Sequence, residues 1–339
     1  PRVVMSRCIT FEPVRYDGTL VPDDLVERMK PFVDFITVCP EADTGLPVPR
    51  DPVRIVRTGG ADHLVQPSTG RDFTGSMEVL TRRFLDGLPA VDGFILKDRS
   101  PSCARRGAKV YAGPGADSTL GRSPGLFGRE VIARYGRFPI EGEGRLRDGR
   151  IRDRFLTAIF TLARFREAKG GEEVRDLARF HADNQLLLKA AGGGYLRAMA
   201  RVVADRKGEH AREIFALYED LLLAALRHRP GRAANIRILA LAMDVFGNRL
   251  REQEKESFQV ALRRYREGDI PVSEPRGMVL SWVARFGDSY PENPGFCGQN
   301  LGDPGSGILD FGDQTFFCPY PEGLAIPDDG TDGRERRPR

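Results

Sequence analysis

Three short apolar runs in the first third of the chain, each followed by a cysteine, constrain its fold more than any other feature. Val3-Val4-Met5 leads to Cys8, Phe35-Ile36-Thr37-Val38 to Cys39, and Phe94-Ile95-Leu96-Lys97 to Cys103. Continuous apolar runs of this length, separated by helical or loop sequence, read as buried parallel strands. In an open α/β sheet, ligands collect beyond the carboxyl ends of the strands. Three thiols delivered to that edge would converge there. Three soft donors suggest a metal centre, and a missing fourth donor suggests a centre open to substrate. No CxxC pair or His-rich set accompanies them, which argues against a closed structural zinc site.

At 339 residues the chain exceeds what one hydrophobic core usually supports, so two domains are expected. Its fold class reads as α/β: a doubly wound, Rossmann-like, mostly parallel sheet domain over residues 1–144, then an all-α, bundle-like domain over 149–325. Residues 22–31 and 75–88 are the expected crossover helices, and the Pro- and Gly-rich stretch 41–70 a long functional loop. The polar, Gly-rich stretch 141–150 marks the boundary. Beyond it, Phe155, Ile159, Leu162 and Phe165 begin a helical periodicity that predicts about six helices. Phe316, Phe317, Tyr320 and Leu324 are anchors back onto them. The tail 326–339 lacks apolar anchors and is expected to be disordered.

The net charge of +4 is uneven, since residues 145–270 alone carry 26 Lys/Arg against 18 Asp/Glu. Most of these cations are Arg, whose planar fork suits phosphate. Nucleic-acid contact is one reading of that excess. Solvated helix faces are the other, as Glu252, Glu254 and Glu256 around Lys255 illustrate. No apolar run approaches the roughly 18 residues of a membrane span. Pro1–Met5 reads as a first strand with no signal peptide ahead of it, which sets the expectation of a cytoplasmic protein with reduced thiols.

Further residues cluster around the cysteines. Cys39-Pro40-Glu41 places a carboxylate two residues from a thiol, and Arg99-Ser100-Pro101-Ser102-Cys103 places two hydroxyls before another. Val14-Arg15-Tyr16-Asp17-Gly18 forms a wall of the same crevice. Cys297 and Cys318 read as structural or incidental, and most of His63, His181, His210 and His228 as surface or packing residues, with His181 the exception that the resemblance below sets apart. Gly113-Pro114-Gly115 fits no phosphate loop and reads as a turn.

Ser6-Arg7-Cys8, Val14-Arg15-Tyr16-Asp17-Gly18, Val38-Cys39-Pro40-Glu41, Gly45-Leu46-Pro47-Val48-Pro49-Arg50 and Leu96-Lys97-Asp98-Arg99-Ser100-Pro101-Ser102-Cys103 resemble, in order, the motifs of the TudS-type thiouracil desulfidases. The second domain resembles that of the RudS-like tRNA 4-thiouridine desulfidases through Ala178-Arg179-Phe180-His181, Glu254-Lys255, Tyr265-Arg266-Glu267-Gly268-Asp269-Ile270-Pro271 and Cys318-Pro319-Tyr320-Pro321-Glu322-Gly323-Leu324. The resemblance implies a 4Fe–4S cluster held by Cys8, Cys39 and Cys103, with one iron lacking a protein ligand. It implies Glu41 as general base or proton shuttle and Ser100 as a group that positions the pyrimidine. Ser102, Lys97, Arg15 and Asp17 are the implied substrate-binding residues. The implied reaction is non-redox C–S hydrolysis, turning 4-thiouridine in tRNA into uridine and sulfide. The basic helical domain would hold the tRNA, with no membrane and no obligatory protein partner, and the base would be extruded to reach the site. Two other readings stay open: a desulfidase for free thiouracil or thiouridine, and a non-catalytic iron–sulfur sensor or RNA-binding module. A Gly commonly follows the third Cys in the family, whereas Ala104-Arg105-Arg106 follows it here.

Overall fold

The computed structural model describes residues 1–204, 211–286 and 313–324. Among the described residues two compact units emerge, residues 1–159 and those from Phe160 to Leu324. In chain order the first contains β1 (Arg2–Ser6), α1 (Asp24–Met29), β2 (Asp34–Val38), α2 (Pro40–Asp43), β3 (Arg54–Thr58), β4 (Ala61–Val65), α3 (Thr74–Asp86), β5 (Gly93–Leu96), β6 (Ala108–Tyr111), β7 (Thr119–Ser123), α4 (Leu126–Tyr135) and β8 (Ile140–Gly142). Helix α5 (Gly149–Gly170) crosses from one unit into the other.

The three apolar runs are indeed parallel strands. They lie side by side in a four-stranded sheet of order β2-β1-β5-β8, with Val4 paired to Ile36 on one flank and to Phe94 on the other. Val3, Val4, Met5, Phe94, Ile95 and Leu96 are wholly buried, as strands covered on both faces require. Each such side chain contributes roughly 1.5–3 kcal/mol through burial. The chain enters β1 and β5 at one end and leaves at the other, so Cys8, Cys39 and the loop to Cys103 all follow strand carboxyl ends.

A second sheet, order β4-β3-β6-β7, corrects the expectation that residues 41–70 form only a loop. Its two central strands are parallel and its flanks antiparallel. Gly113-Pro114-Gly115 lies in the connection between β6 and β7, as the turn reading expects. The stretch 141–150 also differs from a solvated linker: Glu141 and Glu143 are buried, in and just after β8. Their charges have partners. Arg145 donates to Glu141, while Lys97 and the Asp98 amide donate to Glu143.

The second unit is helical. The rest of α5 is followed by α6 (Val174–Asp183), α7 (Gln185–Ala191), α8 (Gly193–Ala204), α9 (Ala211–Arg227), α10 (Arg232–Phe246), α11 (Glu252–Glu267) and α12 (Ser273–Phe286). Asn184 and Gly192, the latter at φ 153°, split one stretch into three helices, which raises the number above that expected from periodicity. Phe165 stacks on Tyr218 at 5.6 Å, and His181 meets the Tyr218 hydroxyl at 3.1 Å, so His181 is a packing residue. Phe246, Phe258 and Trp282 form another part of the core with Phe316 and Phe317, the expected anchors. Cys297, His210 and the tail 326–339 lie outside the described residues. Among those described, no helix is long and apolar enough to cross a membrane.

Candidate active site

The site is assembled by bonds between strand ends. The Arg7 amide donates to the Val38 carbonyl at 2.8 Å, and the Arg7 guanidinium grips Asp43 with two bonds of 2.9 and 3.0 Å. Asp43 closes α2, whose N-cap is Cys39, with Pro40 at the first helical position where its missing N–H costs nothing. These bonds fix Cys8, after β1, beside Cys39, after β2. Across the other flank, the Lys97 amide donates to Ser6 Oγ at 2.9 Å. Ser6 also hydrogen-bonds the Cys103 thiol.

The Cys103 loop is held from both sides. Ser100 Oγ accepts from the amides of Ser102 and Cys103 at 3.2 and 3.0 Å, a turn that fixes the cysteine backbone. Amides at the start of α4 supply the rest, with Gly125, Leu126 and Gly128 donating to the carbonyls of Ala104, Pro101 and Ser102. That approach requires glycine. A Cβ on Gly125 would stand 2.4 Å from the Ser102 carbonyl oxygen, and one on Gly128 would stand 2.4 Å from that of Ala104.

Cys8, Cys39 and Cys103 are free and buried, at 8, 7 and 6 % exposure. Burial pushes the Cys8 thiol up to about 12, and its neighbour Cys39 pushes the same way. Cys39 is raised chiefly by burial, and Cys103 is raised well above the ordinary range by burial and then by Cys8. The sulfurs are therefore electrostatic neighbours in a poorly solvated space, where three thiolates would repel one another. Among the described residues, no three His, Cys, Asp or Glu side chains form a ready site for a single metal ion. A soft, cationic group larger than one ion suits this donor set, because it would offset both the burial and the mutual repulsion.

Glu41 stands beside the thiols with its carboxylate fixed. Arg50 donates from Nε and Nη2 to Glu41 Oε2 at 3.0 and 2.7 Å, while Ser102 Oγ donates to Oε1 at 2.8 Å. Both guanidinium Nη atoms also reach the Val14 carbonyl at 3.2 Å, and the Cys39 thiol donates to that same oxygen at 3.8 Å. Val14 thus forms the expected wall of the crevice through its backbone.

The remaining expected residues take distinct places. Ser102 is fully buried and spends its hydroxyl on Glu41. Lys97 pairs with Glu143 and its charge lowers the pKa of Cys8, against the rise from burial. Arg15 and Asp17 pair with each other at 3.3 Å in a surface turn, where Thr19 hydrogen bonds lower the Asp17 pKa. Sequence reasoning assigned no role to Ser6, Arg50 or Glu143. Ser6 and Arg50 lie inside the motifs quoted above, so position was the available signal. Glu143 was hidden in the polar, Gly-rich stretch that reads as a domain boundary.

Residues 3–143 match the family described as 2-thiouracil desulfurase, and residues 185–296 match a protein of unknown function, DUF1722. The uncharacterized protein YbbK of Bacillus subtilis (strain 168) is 26 % identical over 110 residues, which is 30 % of this chain and 72 % of that protein. Among solved structures, the [4Fe-4S]-dependent thiouracil desulfidase TudS (DUF523Vcz) is 26 % identical, with a TM-score of 0.33 over 43 % of this chain and 92 % of that one.

Proposed function

Starting from an N-terminal unit of the 2-thiouracil desulfurase family, we propose that this chain is an iron–sulfur-dependent desulfidase that removes sulfur from 4-thiouridine in tRNA, releasing uridine and sulfide. Cys8, Cys39 and Cys103 would hold a 4Fe–4S cluster, leaving one iron without a protein ligand. When bound, the cluster would supply a soft Lewis acid matched to a thiocarbonyl sulfur. The observation that carries the reading is the juxtaposition of three free thiols with a carboxylate locked by Arg50 and Ser102.

Glu41 then acts as the general base. Its Oε2 already accepts two bonds from Arg50, whereas Oε1 accepts one from Ser102 and keeps a lone pair for a water proton. Arg50 and Ser102 act as positioning residues that hold Oε1 in place. Ser100, with its Oγ accepting two amide bonds, retains its own hydroxyl hydrogen for the pyrimidine. Water oxygen replaces sulfur at the ring carbon and its two hydrogens leave with the sulfide, so no net electrons are needed. The arginine-rich helical unit would hold the tRNA by its phosphates.

A second reading, desulfuration of free thiouracil, is favoured by the family description itself. Anaerobic reconstitution with iron and sulfide, followed by assay of thiolated tRNA and of free 2- and 4-thiouracil, separates the two. Loss of thiouridine absorbance from tRNA at a rate exceeding that on the free base supports the first reading. Turnover of the free base alone replaces it with the second, and no turnover of either by cluster-loaded protein overturns both.

A further inference from the structure

The Cys103 loop has a second face. A cleft of about 460 Å³ in the first unit is lined by Arg99, Arg106, Arg122 and Arg145, with Asp98 the one acid among its walls. Arg99 immediately precedes Ser100, and Arg106 lies three residues after Cys103, so two of the cleft's arginines flank the chain segment that carries Ser100 and Cys103.

These cations are short of anions. Arg145 donates to Glu141 at 2.7 Å, but Arg122 reaches only the Gly107 carbonyl, at 3.2 Å. Arg99 and Arg106 make no hydrogen bond or ion pair among the described residues, and Arg106 and Arg122 are exposed. Asp98 is engaged by the Gly144 amide at 3.1 Å, and burial and then Glu143 raise its pKa. Behind the cleft, Arg105 Nη1 is buried with no hydrogen bond, 3.6 Å from the already shared Glu141. Arg99 is held at φ 61°, a left-handed backbone unfavourable for a residue with a Cβ. Like charges gathered around an open concave space, with too few acids to neutralise them, form a site for an anion. Planar guanidinium forks favour phosphate oxygens in particular.

We propose that this arginine cleft binds a phosphate of the RNA backbone beside the thiolated base, so that the sheet unit itself grips the nucleic acid next to the reacting carbon. The inference rests on the nucleic-acid reading above, but its test needs no turnover. Fluorescence anisotropy of labelled, unmodified tRNA with the full chain, repeated across salt concentrations, measures the contact. In the Arg106→Ala/Arg122→Ala variant, Kd is expected to rise at least tenfold at about 0.1 M salt, and the slope of log K against log salt to become shallower by about 1, the loss of one phosphate contact. Arg106→Lys/Arg122→Lys keeps both charges and should retain most of the slope while losing some affinity. Circular dichroism checks that each variant is folded.

Uridine 5′-monophosphate as competitor distinguishes the phosphate source. If it displaces tRNA, the cleft accepts a terminal phosphate. If it does not, while the alanine variant still loses tRNA, the cleft requires a phosphodiester. Either result upholds phosphate binding. Wild-type Kd and slope in the alanine variant would overturn it. Lost binding by that variant, beside a wild type unable to desulfurate tRNA, would sink the proposed reaction and leave the cleft standing.

Discussion

Arg50 aims two N–H groups at a single oxygen of Glu41, with the arginine side chain 3 % and the glutamate 12 % exposed. The pair joins a Pro-rich loop to the carboxylate beside Cys39. Removing one partner strands a buried charge, which typically costs about 3–5 kcal/mol.

Arg50→Met is therefore expected to lower the urea midpoint by an amount equivalent to about 3 kcal/mol or more, with Arg50→Lys intermediate. Glu41→Gln preserves shape and some hydrogen bonding. It should retain iron while losing roughly 100-fold or more in desulfuration, as expected for a general base. Paired urea melts and iron assays distinguish the two effects. Full activity in Glu41→Gln would remove the base assigned here.

Gly128→Ala places a methyl group 2.4 Å from the Ala104 carbonyl oxygen and 2.7 Å from that of Cys103. Neither backbone atom can rotate away, so the loop or the helix must shift. Overpacking of this kind costs about 1–3 kcal/mol. A lower melting temperature and less iron bound per chain are the expected results. Unchanged values would mean that the Cys103 loop tolerates displacement.

The thiols should separate by reactivity. Cys8 ionises near 12 when folded, against an ordinary value of 9.0, whereas Cys318 is exposed. In metal-free protein at about pH 8, alkylation mapped by peptide mass should mark Cys318 at least tenfold faster than Cys8, since only thiolate reacts. The sign for stability follows. Below 9 the thiol is protonated in both states, but between 9 and 12 the unfolded chain releases its proton first. Stability attributable to Cys8 is therefore lost as pH rises through that window, and the melting temperature should fall there.

Asp62 links β4 to α4 through Arg129 and pairs with Arg57 across the β3–β4 hairpin. The Arg57 hydrogen bond, helped by Arg129, holds its carboxyl below the usual range despite partial burial. Its stabilisation is present above the ordinary carboxylate pKa and disappears as pH falls through the depressed one. Asp62→Asn is expected to cost about 1 kcal/mol at neutral pH, discounted because both arginines are partly exposed. The difference from wild type should shrink toward zero in strong acid. A gap that persists there would mean that packing, not charge, is responsible.

Three strands of the first sheet were legible because they are continuous apolar runs, and Val3–Met5 and Phe94–Leu96 have no exposed face to disguise them, whereas β8, Ile140-Glu141-Gly142, was hidden in a polar, Gly-rich stretch. The second sheet was not, because β3, β4 and β7 interleave Arg54, Arg57, Asp62, His63 and Arg122 with few apolar residues. Such half-exposed strands look like loops. The cysteines could be placed because each follows a strand end. Arg50 could not, since an ion pair between a loop arginine and a glutamate in a one-turn helix has no periodicity to betray it. Ser102 was visible as a hydroxyl beside a thiol, but its burial and its bond to Glu41 depend on chain segments distant in sequence.

The strand order β2-β1-β5-β8 also governs when the site can come into being. Cys103 and the Glu143 partner of Lys97 reach the edge only after β5 has docked beside β1 and β8 beside β5, contacts that close long stretches of chain and form slowly. An emerging polypeptide halted before Gly142 would expose Cys8 and Cys39 without a finished cradle. An inorganic group held by these three sulfurs would thus be delivered late in biogenesis, after the parallel sheet has been completed.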